Sequence, residues 1–355
     1  MGDPTVISLF SGAGGLDLGF EAAGFDVVCA VDSNRDACDT LSAHYGASVP
    51  VYHMPVADVP SWPSADVVIG GPPCQPFSKM MDWVGGGAGM TDPRAQSLVD
   101  FFDVVETVKP EVFVLENVPT FLSKGGEEFC RLAGERLGYS VVSNVFTAST
   151  YGAPQKRRRA FVVGTLGGTP LDLDVKDKAK RTPWDALSEI EPSPEELEAA
   201  QASGKWAGLL PSVPPGKNYL HFTSVGPLGL EMFVPRRPFW NFLLRSSPTK
   251  PVVTITASPG PATGPFHWDA RRFTLSELAA LQTFPTGHPF KGTPNSQARQ
   301  IGNAVPPLLG EVVGRAVGRS VFGKVYPDPP VHRPPTATTP PPVASVHPVP
   351  EEYLP

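Results

Sequence analysis

TVISLFSGAGGLDLGFEAAGFDVVCAVD, residues 5–32, decides the fold. Its first six residues are a β-branched and apolar run. A glycine-rich turn, SGAGG, breaks that run, and LDLGFEAAG then shows helical spacing. VVCAVD, 27–32, is a second short strand with an acid at its carboxyl end, and SNRDACDTLSAHYG reads as a helix that Ser33 or Asn34 can cap. Strand, glycine turn, helix and strand make the opening of a βαβ unit.

The alternation continues outward from this stretch. Strand candidates are ADVVIGG (65–71), VFVLEN (112–117), YSVVSNVFTA (139–148) and AFVVGT (160–165), with helical patterns at 97–108 and near 126–136. Strands this apolar and this unalternating are expected where helices cover both faces of a parallel sheet. The pattern predicts an open, mostly parallel, Rossmann-like α/β sheet over residues 1–165. From 166 to 270 the period fades into Pro, Gly and Ser, with short strand-like pieces such as PVVTIT at 251–256, and a smaller irregular domain is expected. Helical spacing returns at 274–284 and 306–321, so residues 271–322 are read as a returning segment whose second helix packs on the first domain. Eleven prolines in residues 327–355 predict a disordered or polyproline-like tail over 323–355.

Composition narrows the partners. The start lacks a signal-peptide pattern and no 18-residue apolar run occurs, so a cytoplasmic protein that does not cross a membrane is expected. Four scattered cysteines with no CxxC pair argue against a disulfide framework and a zinc site, and no metal is expected. Net charge is −6 but uneven: residues 1–150 carry 7 basic against 19 acidic side chains, and residues 235–319 carry 10 against 3. One region can therefore hold an anionic polymer although the total is acidic.

The glycines after the first strand allow a ligand close to the backbone. They match neither GxGxxG nor a Walker A loop, so a pyrophosphate is not indicated. Asp32, at the end of the second strand, suits a ribose diol. A nucleoside cofactor with no phosphate loop is consistent with S-adenosylmethionine, with Asp58 reaching the adenine amino group and Pro72 walling the site; a plain glycine turn with a capping Asp is the alternative.

GGPPCQPFSK, 70–79, places Cys74 just past the strand ADVVIGG, at the same sheet edge. A thiolate is a strong carbon nucleophile, and cysteine chemistry alone leaves a buried structural role equally open. The prolines around it restrict the backbone with no evident packing benefit, which favours function. Glu116 and Asn117 end VFVLEN, where a carboxyl can share a proton with a substrate heteroatom or simply cap a helix or pair with a basic residue. In QKRRR, 155–159, alternation puts Arg157 and Arg159 on one face and Arg158 on the other.

Together these segments resemble the cytosine-5 DNA methyltransferase family of bacterial type. FSGAGGLDLGF is similar to its cofactor motif, GGPPCQPFS to its catalytic-cysteine motif, ENV at 116–118 to its glutamate motif and YGAPQKRRRAFVVG to its arginine motif. RRFTLSELAALQTFP (271–285) and QIGNAVPP (300–307) complete six motifs in order. The resemblance implies transfer of a methyl group from S-adenosylmethionine to C5 of a flipped-out cytosine in double-stranded DNA, leaving S-adenosylhomocysteine. Carried over by position, Cys74 is the nucleophile, Glu116 binds cytosine N3, and Arg159 holds the base, supported by Arg157 and Gln155.

The implied cofactor set is Phe10, Ser11, Gly12, Gly14, Leu16, Asp32, Ser33, Asp58, Val59, Pro72, Leu98, Asn303 and Ala304. The irregular 166–270 segment corresponds to the family's target-recognition domain. The resemblance further implies a monomer that needs no stable protein partner, and a restriction endonuclease acting on the same site. Ser276 and Ala280 depart from the family's helical motif, and the glycine-rich loop 79–90 is longer than usual. A tRNA cytosine methyltransferase, an inactive DNA-binding homologue and a nucleotide-dependent oxidoreductase are the competing readings.

Overall fold

The computed structural model describes residues 2–73, 93–173, 175, 178–236 and 239–354. Cys74, Gln75, Ser78 and the 79–90 loop lie outside the described residues. Strand β1 (Thr5–Leu9) leads through the glycine turn into helix α1 (Gly15–Ala22), then β2 (Asp26–Asp32), α2 (Arg35–Tyr45) and the short β3 (Val51–His53). Next come β4 (Val67–Gly70), α3 (Pro93–Val108), β5 (Val112–Asn117), α4 (Glu127–Arg136), β6 (Tyr139–Thr147) and β7 (Arg158–Leu166). The seven strands form one sheet in the order β3-β2-β1-β4-β5-β7-β6, and only β7 runs against its neighbours.

The unalternating strands are explained by their surroundings: every residue of β4 and β5 is buried. Successive side chains enter opposite cores. Val6, Val67, Ile69, Val112 and Val114 pack on one face with Phe20 and Leu309, while Ile7, Leu9, Val68, Phe113 and Leu115 pack on the other with Phe101, Phe102 and Phe129. This is the period of two expected of a pleated strand with apolar residues on both faces.

The chain closes the first core with α9 (Pro307–Phe322), which packs against α1. Glycines permit the approach. A Cβ on Gly19 would stand 2.5 Å from the backbone of Gly310 and Glu311, and one on Gly314 would stand 2.9 Å from Ala23 Cβ. Between β7 and α9 come α5 (Pro183–Leu187), α6 (Pro194–Ala199), α7 (Leu275–Leu281) and α8 (Pro294–Asn303). Thr274 and Glu277 form a capping box that starts α7.

PVVTIT does not become a strand: Val252 makes only an isolated bridge to Gln155. Side chains replace the ladder. Gln155 Oε1 accepts from Ile255 N at 3.0 Å, and Arg157 Nη1 donates to Ile255 O at 3.1 Å.

After residue 323 the chain runs as an extended strap. Glu311, wholly buried, accepts the backbone N–H groups of Val331 (2.8 Å) and His332 (3.0 Å). Arg181 Nε donates to Pro334 O, Trp184 Nε1 to Thr339 O, Arg245 Nη2 to Ser345 O and Ser212 Oγ to Pro348 O. Proline cannot form ladders, but it leaves carbonyls free for side-chain donors on the body and lowers the entropy lost on ordering. Ending the chain after Lys324 strips the Glu311 carboxylate of two donors. We expect a loss of at least about 2 kcal/mol, read as a lower denaturant midpoint in equilibrium unfolding.

Candidate active site

The carboxyl edges of β1, β2, β4 and β5 open onto one cleft of about 460 Å³, a size usual for small-ligand sites. At the end of β1, Phe10 is held at a φ of 53°, a strained conformation for a bulky residue that is characteristic of functional turns. Gly12 (φ 56°) and Gly14 (φ 79°) complete the turn into α1. Gly15 faces the terminal segment so closely that a Cβ there would meet Val305 O at 2.2 Å. Any side chain at residue 15 would push QIGNAVPP away from the loop.

Asp32 Oδ2 accepts from Gly12 N at 2.8 Å and Oδ1 from Asn34 N at 2.7 Å. Asn34, not Ser33, caps α2, accepting from Ala37 N at 3.0 Å. Burial pushes the Asp32 pKa up, and these backbone donors oppose the rise. A carboxylate has about four acceptor positions, so acceptor capacity remains for hydroxyl donors. Phe10, Ser11, Gly12, Leu16, Asp32, Ser33, Pro72, Asn303 and Ala304, all expected in the cofactor set, line this cleft. Gly14 shapes the turn from behind, against Leu41.

Three expected members stand elsewhere. Val59 and Leu98 pack in the core beneath the sheet, and Asp58 is exposed beside them; none belongs to the cleft lining among the described residues.

Glu116 and Arg159 line the same cleft. Antiparallel pairing of β5 with β7 sets Glu116 opposite Phe161, and Arg159 Nε lies 2.7 Å from Glu116 Oε1. Among the described residues the Arg159 guanidinium is that buried oxygen's one close polar neighbour, so it keeps acceptor capacity. Gly71 lets the carboxylate lie against the end of β4, since a Cβ there would meet Glu116 Oε2 at 3.0 Å. Burial raises the Glu116 pKa, and the charges of Arg159 and then Arg157 pull it back only in part. The result is a carboxyl poised to carry a proton. Asn117 Nδ2 donates to Pro72 O at 3.1 Å, fixing the chain one step before Pro73, which also lines the cleft.

Gln155 and Arg157 are buried and face away from the cavity. Gln155 Nε2 donates to Gln282 Oε1 at 2.9 Å, while Arg157 Nη2 donates to Gly302 O (2.9 Å) and Asn303 O (3.0 Å). They tie the 252–255 and 300–305 segments to β7. Among the described residues Arg157 forms no ion pair, and burial brings its pKa down to about 9. Arg158 is exposed, as alternation predicts.

Asp17 is a cleft residue that the sequence reading passed over. It is completely buried, accepts from Ser8 Oγ at 2.7 Å, and has its pKa raised to about 7, chiefly by burial. Between about pH 4 and 7 the folded state holds a proton that the unfolded state has lost, so its contribution to stability falls as pH rises through that window. The full effect is on the order of 4 kcal/mol. Asp17→Asn is therefore expected to raise the melting temperature at pH 8 and to lose that advantage towards pH 4, as scanning calorimetry across pH can check.

The fold and the cleft define a methyltransferase built to hold a nucleoside beside a buried acid. The family of the C-5 cytosine-specific DNA methylases matches residues 4–319, and the chain belongs to it. Its activity is the S-adenosylmethionine-dependent methylation of cytosine C5 in double-stranded DNA, using a catalytic cysteine.

Among curated relatives, the Type II methyltransferase M.SacI of Streptomyces achromogenes is 37% identical over 88% of this chain and 92% of its own length. M.NgoFVII of Neisseria gonorrhoeae is 34% identical over 86% of this chain and 83% of its own length. The crystal structure of the S. pombe Dnmt2 methyltransferase shares the fold with a TM-score of 0.65 at 18% identity, covering 90% of this chain and 100% of that one. The Entamoeba histolytica methyltransferase EhMeth superposes with a TM-score of 0.62 at 16% identity, over 90% of this chain and 99% of that one. Among the described residues, no helix is long and apolar enough to cross a membrane.

Proposed function

We propose that Cys74 is the nucleophile that adds to C6 of the target cytosine, that Glu116 donates a proton to N3, and that Arg159 orients both the acid and the base. The observation that carries this is a shared cavity: Glu116, Arg159, the glycine turn and Pro73 line one cleft. Cys74 is the residue that follows Pro73 in the sequence. The remaining cysteines support the assignment by contrast. Cys29, Cys38 and Cys130 are buried, and burial raises the pKa of each thiol, to about 12 for Cys29 and about 11 for Cys38. Buried thiols with raised pKa make poor nucleophiles.

The residues fit S-adenosylmethionine: the glycine turn leaves room beside the backbone, and Asp32 keeps acceptors for a diol. When bound, the cofactor supplies a methyl group from a sulfonium. The chain's own part is to make C5 electron-rich. Thiolate addition at C6 sends charge through the ring, and proton donation from Glu116 to N3 absorbs it. A base then takes the C5 proton, the C–H electron pair restores the C5–C6 double bond as the C6–S pair leaves with the thiolate, and N3 returns its proton to Glu116. Extruding a base from a duplex costs, as a general magnitude for such enzymes, roughly a few kcal/mol.

Residues 1–165 are assigned to catalysis and cofactor binding, 166–270 to target recognition, and 271–322 to the return. The basic 235–319 region would hold DNA phosphates. Similarity to Type II methyltransferases supports a protective role beside a restriction endonuclease. The protein is proposed to act as a monomer in the cytoplasm. Bisulfite sequencing of DNA from cells producing the protein, with tRNA assayed in parallel, tests substrate and reaction together. Methylation confined to one DNA sequence is expected; methylated tRNA and unmodified DNA would overturn it.

A further inference from the structure

We infer that Arg299 is a cofactor-binding residue that recognises the carboxylate of the methionine portion of S-adenosylmethionine. The inference rests on the reading that this cleft holds that cofactor, and it adds a residue that none of the motifs supplies. Asp17, Asp32 and Glu116 give the lining three acids, and its only basic side chains among the described residues are Arg159 and Arg299. Arg159 is taken by Glu116. Arg299 forms no ion pair or side-chain hydrogen bond with the described residues and is exposed.

The backbone of Arg299 is nevertheless fixed. On α8, Ser296 Oγ donates to Asp36, and Gln300 accepts from Thr40 Oγ1 at 2.7 Å and donates to Lys291 O at 2.8 Å. These bonds clamp the helix three residues before Arg299 and one after. Asn303, which also lines the cleft, stands one turn on at i+4. The arrangement is a free guanidinium on a rigid stem at the rim of an acidic cavity.

The ligand's chemistry selects the partner. S-adenosylmethionine carries a sulfonium, an ammonium and one carboxylate. The carboxylate is its only anion, and a guanidinium matches it with two parallel N–H donors. A DNA phosphate is the competing ligand for an exposed arginine.

Titration calorimetry with S-adenosylhomocysteine and with its decarboxylated analogue, which keeps the nucleoside, thioether and amine, separates the possibilities. Arg299→Ala is expected to weaken S-adenosylhomocysteine binding about tenfold and the analogue less than about twofold, with Arg299→Lys in between. The salt dependence of duplex DNA binding should not change. Equal losses for both ligands would overturn the inference, as would unchanged S-adenosylhomocysteine binding with a DNA salt slope reduced by about one. If the wild-type protein bound neither ligand, the cofactor assignment of the cleft would fail before the role of Arg299 was reached. A melting curve for each variant checks that it is folded.

Discussion

Cys74→Ser is expected to lower methyl transfer to duplex DNA by about 10³-fold or more, while the Kd for S-adenosylhomocysteine stays within about twofold. A serine hydroxyl remains protonated at neutral pH and adds poorly to an unactivated ring. The other cysteines offer no replacement, because Cys29, Cys38 and Cys130 are all buried. Single-turnover kinetics with labelled cofactor separates lost chemistry from lost binding. A Cys74→Ser enzyme that turns over at near wild-type rate would remove the thiol from the mechanism.

Glu116→Gln is expected to reduce the single-turnover rate by about 10²–10⁴-fold, with much less effect on cofactor affinity. Gln keeps the shape and can donate a hydrogen bond to N3, but it cannot deliver a proton. The pH dependence gives a second signature. Burial holds the Glu116 pKa above the ordinary carboxylate range, so the protonated form persists to higher pH than in a free glutamate and is lost as pH rises further. The wild-type rate limited by this group should fall on the alkaline side of that raised pKa, and the Gln variant should lack that limb. A Gln variant that keeps both the rate and the profile would show that proton donation comes from elsewhere.

Much of this architecture was legible because burial dictates it. VFVLEN is apolar on both faces, and β5 is buried on both; SGAGG interrupts two apolar runs, and φ is positive at Gly12 and Gly14. The meeting of Glu116 with Arg159 was legible only in part. Both end strands, but it is the antiparallel setting of β7 that brings them to 2.7 Å, and composition does not record strand direction. Leu98 comes from the family resemblance, and its side chain packs in the apolar core with Phe101 and Phe102.

The strap was illegible for a physical reason. It has few large apolar side chains, and its attachment relies on backbone carbonyls and on donors such as Arg245 that lie about a hundred residues away in sequence. Arg299 could have been found from its i, i+4 relation to Asn303, yet nothing local shows that its guanidinium lacks a partner. Asp17 was hidden inside a motif whose glycines drew the reading, although a charged residue on the buried face of α1 was itself the signal.

The central claim is a covalent bond between the Cys74 sulfur and cytosine C6, formed beside a buried acid. It is tested most directly by placing 5-fluorocytosine at the methylated position located by bisulfite sequencing. Fluorine cannot leave C5 as a proton does, so addition and methylation should stop at a stable adduct. With S-adenosylmethionine present, a protein–DNA complex that survives denaturation is predicted, and peptide mass spectrometry should place the modified base on Cys74. An adduct on another residue, or none from an enzyme that methylates ordinary cytosine at the same site, would contradict the account.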